Sequence, residues 1–93
     1  MAKIRSWKNA NTDELITTIL KLKNADQAKR FMRDLMTESE IIEMGSRWKA
    51  ARMLSNKESY KDIIAATRLS SRTVARINKW LQSGMGGYKA LIK

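Results

Sequence analysis

The 93-residue chain has no histidine and no cysteine, 43% apolar residues with three Trp, two Tyr and one Phe, and a formal net charge of +10. That length suits one small domain with a modest core, to which self-association as a homodimer would add buried area. Without cysteine there is no disulfide framework and no thiolate metal site, and the absence of histidine removes the commonest general base and metal ligand and any catalytic triad, so an enzyme is not expected. The charge is uneven: residues 1–43 hold eight Lys/Arg against seven Asp/Glu, whereas residues 44–93 hold eleven against two. A polyanion-binding face is therefore expected in the second half. Acidic membranes attract the same charge, although nucleic acid is favoured. No apolar run approaches the roughly 18 residues that span a bilayer. The basic start MAKIRSWKNANT lacks the apolar stretch of a signal peptide, so the expected location is the cytoplasm.

Absent proline and scarce glycine favour helices joined by short turns. Residues 1–10 read as a basic arm carrying Trp7, and 11–93 as a single domain. Capping-box spacings occur at Asn11/Glu14, Asn24/Gln27 and Thr37/Glu40, where a side-chain oxygen precedes a Glu or Gln by three residues. They predict a helix over about 12–22 with Leu15, Ile16, Ile19 and Leu20 on one face. A second follows over about 25–36 (Ala28, Phe31, Met32, Leu35), and a third over about 38–55 (Ile41, Ile42, Trp48, Ala51, Leu54). Residues 11–55 are assigned to dimerisation. Asp13/Glu14 and Glu38/Glu40 sit in first turns, where acids favour the helix dipole, and are not a catalytic pair. The six methionines read as core filler.

Ser59 and Ser70 are the expected caps of helices over about 60–67 and 71–82. Their lengths and the short connection make helix-turn-helix spacing over 60–82. Ile63, Leu69, Val74 and Ile77 would pack the pair, extended by Trp80 or Leu81. Two positions depart from the usual pattern: bulky Ile64 stands where a small residue is common, and Arg68 where the turn favours glycine. Arg72, Arg76 and Lys79 fall on one stripe of the last helix. Ser70, Ser71 and Thr73 crowd its N-terminal end, where hydroxyls and free amides can meet phosphate. Such a stripe on an amphipathic helix is more often an ordinary solvated face than a binding site, but the run from residue 63 onward contains no acid. Trp48 and Trp80, at helical spacing with apolar residues, are expected in core or dimer packing. Residues 83–93 form a tail in which YKALIK can add a terminal turn.

LMTESEIIEMGSRWKAARML, followed by TVARIN on the last helix and the closing GGYK, resembles the tryptophan-repressor superfamily, specifically its YerC/YecD-like branch. The resemblance spans about Asp26 to Lys89. It implies an all-α, intertwined homodimer with five to six helices per chain, acting as a transcriptional regulator, most simply a repressor. Each helix-turn-helix would enter the major groove of double-stranded DNA, with Lys61 at the backbone and Ser71, Arg72 and Thr73 in the groove. In the tryptophan repressor an amino-acid corepressor sits between two arginines; Arg47 and Arg76 match those positions here. Arg47 is equally placed to pair with Glu43, and Arg76 to meet a DNA phosphate. Bulky Trp48 and Ile77 stand beside the matched pair, so the expectation is no cofactor, with tryptophan or a related amino acid as the exception. The alternative function is a basic interaction module that binds nucleic acid nonspecifically or docks on an acidic protein.

Overall fold

The computed structural model describes residues 6–92, and among them the chain is entirely helical. The elements are α1 (Ala10–Ile19), α2 (Ala25–Leu35), α3 (Glu38–Ser55), α4 (Tyr60–Thr67), α5 (Ser71–Ser83) and α6 (Gly87–Leu91). The chain divides into two compact units at Thr37/Glu38. Helix α3, grouped by sequence with the dimerisation helices, packs against α4 and α5 in the second unit.

In the first unit, α1 starts and stops earlier than capping-box spacing predicts. Asn9, not Asn11, is the N-cap: its Oδ1 accepts from the Thr12 amide at 3.0 Å and the Thr12 hydroxyl at 3.3 Å, while its Nδ2 donates to the Ser6 carbonyl. Asn11 thus falls inside the first turn. At the far end Thr17 and Thr18 bond back to the Asp13 and Glu14 carbonyls, and the chain tightens into i→i−3 bonds at Lys21 and Leu22. Adjacent β-branched residues with hydroxyls that compete for carbonyls make a poor continuation. Helix α2 begins as its spacing predicts. The Gln27 amide donates to Asn24 Oδ1 at 2.8 Å, and Gln27 Oε1 accepts from the Lys23 amide, one residue ahead of the usual capping-box partner. Neither α1 nor α2 has a fully buried residue.

The second unit has a real core. Ala50 and Ala51 of α3, Ile63 of α4, and Val74 and Ile77 of α5 are fully buried, with Met53, Leu54, Ile64, Leu69, Tyr88 and Ile92 packed around them. The two alanines let α4 and α5 approach α3 closely. Between Trp80 and Leu81, it is Leu81 that faces inward, at 6% exposure. A Schellman turn closes α3: the Glu58 amide donates to the Met53 carbonyl and the Lys57 amide to Leu54, with Lys57 left-handed at φ 61°. The tail forms α6, which packs on α5. Gly84 is required before it, because a β-carbon there would lie 2.5 Å from the Trp80 carbonyl oxygen.

Arg68 ends α4 in the left-handed region (φ 61°, ψ 15°), its amide donating to the Ile64 carbonyl at 2.8 Å. A side chain in that conformation costs about 1 kcal/mol relative to glycine. Arg68→Gly is therefore expected to raise the thermal midpoint by several degrees, read by circular dichroism at fixed protein concentration. An unchanged or lowered midpoint would show that the arginine side chain compensates its backbone.

Candidate nucleic-acid interface

Two helices and a three-residue turn build the site. Ser59 caps α4 by accepting from the Asp62 amide at 3.1 Å. Ser70 caps α5, accepting from the Thr73 amide at 3.1 Å and donating to the Thr73 hydroxyl at 3.0 Å. Ser70 thus has its hydroxyl proton engaged within the cap, while half-buried Thr73 keeps its own proton to donate. Between the caps lies a brace that the sequence reading missed. Thr67 is 7% exposed, donates to the Ile63 carbonyl at 2.7 Å and accepts from the Leu69 amide at 3.3 Å. A buried threonine at a helix end reads in sequence as one more apolar-compatible residue, so only geometry reveals it. Its two bonds fix the turn and hence the angle between α4 and α5.

With Val74, Ile77 and Leu81 turned to the core, the opposite side of α5 carries Arg72, Arg76 and Lys79, all exposed. No hydrogen bond or ion pair engages these three side chains among the described residues. Ser71, exposed, adds a hydroxyl at the first turn, and Lys61 is exposed on α4. The acids of this half, Glu58 and Asp62, precede the turn and leave α5 without a carboxylate. The result is an exposed cationic ridge on a rigid support, with a capped helix N-terminus beside it: a surface that suits phosphate and base edges.

Arg47 is placed differently. On α3 its Nη2 meets Glu43 Oε2 at 2.8 Å, with its side chain 33% exposed. Its Nε is buried and has no hydrogen-bond partner. Its charge is thus already met by Glu43. Neither Arg47 nor Arg76 lines the open apolar groove of about 450 Å³ that Trp48, Trp80, Met85, Tyr88 and Leu91 form between α3, α5 and α6. Trp48 and Trp80 are 36% and 43% exposed, so they are not core residues of the single chain. The Trp48 and Tyr88 rings lie 6.2 Å apart at 31°. Trp7, in the basic arm, is exposed beneath the Lys8 ammonium at 5.5 Å.

Among the described residues no helix is long and apolar enough to cross a membrane. The family model for the Trp repressor protein matches residues 10–93. YerC of Bacillus subtilis (strain 168), itself uncharacterised, is 32% identical over 87 residues, covering 94% of this chain and 84% of its own. The crystal structure of a TrpR-like protein from Eubacterium eligens superposes with a TM-score of 0.85 at 31% identity, over 94% of this chain and 96% of the other. A solved structure from Staphylococcus aureus gives 0.84 at 31% identity, over 90% and 84%. With its helix order, its packed helix-turn-helix and these likenesses, the chain belongs to the Trp repressor family, in the branch that includes YerC.

Proposed function

We propose that the protein is a cytoplasmic, homodimeric, sequence-specific DNA-binding regulator, a repressor rather than an enzyme, whose α4–α5 pair enters the major groove. The observation that carries this reading is the ridge of Arg72, Arg76 and Lys79, exposed and without a partner among the described residues, on a helix whose opposite side packs into the core through Val74, Ile77 and Leu81. Dimerisation is supported by apolar surface the single chain leaves uncovered. Ile16, Ile19 and Leu35 in the first unit, and Ile42, Met44 and Trp48 on α3, are all exposed. Such surface on helices is ordinarily buried against another chain.

Binding without an amino-acid corepressor is part of the proposal. It is supported by the Arg47–Glu43 ion pair and by Ile77, fully buried in the core beside Arg76.

Lys61, Arg76 and Lys79 from two subunits give about six phosphate contacts. The logarithm of affinity is then expected to fall with the logarithm of salt at a slope of roughly −5, measured by fluorescence anisotropy. The specific duplex should bind at least about 10³-fold more tightly than a scrambled one at physiological salt. A basic interaction module, supported by net charge alone, would give a steep slope with no difference between duplexes.

A further inference from the structure

The first two turns of α5 expose four side chains, Ser71, Arg72, Ala75 and Arg76. Ala75 follows Ser71 by four residues and Arg72 by three, so the three share one patch at the end of the helix that leads into the groove. This patch has an unusual chemistry. It holds hydrogen-bond donors, a hydroxyl and one bare methyl, with no carboxylate and no side-chain amide among residues 71–77.

The Ser71 hydroxyl both donates and accepts and so is unselective; selectivity falls to the arginine fork and the methyl. Cytosine presents an N4 donor, which needs an acceptor such as a carboxylate. Adenine presents a donor and an acceptor together, which an amide side chain reads. Guanine presents two acceptors, matched by the arginine fork, and thymine presents a methyl, matched by an apolar side chain. We infer that α5 reads a guanine through Arg72 and a neighbouring thymine methyl through Ala75, making Ala75 a specificity-determining residue. This rests on the major-groove reading proposed above and names what that helix recognises.

The test uses the full-length protein and a duplex selected from a random library. Each thymine of the half-site is replaced in turn by deoxyuridine, which removes the methyl alone. One thymine per half-site, beside a guanine, is expected to lose affinity roughly four-fold on replacement, and so on the order of fifteen-fold when both half-sites are changed. Ala75→Gly and Ala75→Ser should bind thymine and uracil duplexes equally. Ala75→Ser keeps a helix-compatible side chain where glycine loosens the helix. Circular dichroism checks that both fold. A sequence-specific wild type indifferent to every thymine methyl would overturn the inference while leaving the regulator reading intact. So would variants that retain the full thymine preference. If the library yields no preferred sequence, the regulator reading fails and this inference with it.

Discussion

Replacing Arg72 and Arg76 together by alanine is expected to abolish specific duplex binding while leaving helix content unchanged. Both side chains are exposed and neither engages a partner among the described residues, so their truncation leaves no buried group there unsatisfied. Exposed substitutions of that kind move stability by about 0.5 kcal/mol or less. At the DNA the loss is of another order. A bidentate arginine–guanine contact discriminates by roughly 1–3 kcal/mol, and a phosphate contact carries the salt-dependent part of affinity. Four arginines lost from a dimer therefore weaken binding by at least about 10³-fold. Gel shift on the selected duplex, with circular dichroism as control, reads both quantities. Arg72→Lys separates charge from geometry: it keeps the cation, loses the planar fork, and should relax base preference more than total affinity. Binding that survives in the double variant would remove α5 from the interface.

Ile77→Ala is expected to lower unfolding stability by about 2–5 kcal/mol without touching the exposed ridge. Ile77 is 0% exposed, in one cluster with Ala50, Ala51, Ile63 and Val74, where three helices converge. The alanines already present leave little side chain able to collapse into the space, so the upper half of that range is expected. A small domain has only about 5–15 kcal/mol in total, which makes the change a large share of its stability. Urea titration at fixed protein concentration should show a lower midpoint with an unchanged slope. Ile77→Val, retaining most of the volume, should cost about 1 kcal/mol. Equal effects from the two would show that the pocket around Ile77 relaxes freely. The same residue links core to function, because it stands next to Arg76 and sets how α5 is held.

Much of this arrangement was legible in the sequence because its signals are local. Ser59 and Ser70 cap the helices they were expected to cap, and Ile63, Val74 and Ile77 pack as their spacing requires. Arg68 takes the left-handed backbone that its replacement of glycine foreshadowed. Sequence is ambiguous where two local signals compete. Asn9 and Asn11 are equally good caps by type, and only the extra bonds to Thr12 and Ser6 select the first. Periodicity placed Trp80 and Leu81 as alternatives because adjacent residues are about 100° apart on a helix, both within a wide apolar arc. Thr67 and Ala75 were invisible for a simpler reason. A buried hydroxyl brace and a bare methyl on a reading face are chemical roles conferred by orientation, and residue type alone does not carry orientation. The tryptophans mark a further limit: Trp48 and Trp80 are apolar by type, yet half-open in the single chain.

Selection of bound duplexes from a random library, run with and without free amino acids, tests the central claim most directly. One enriched sequence with two-fold symmetry is expected, its half-sites centred about one helical turn or a multiple apart, recovered equally in both conditions. A pool that stays random after repeated rounds, or a motif that emerges only with an amino acid present, would contradict it.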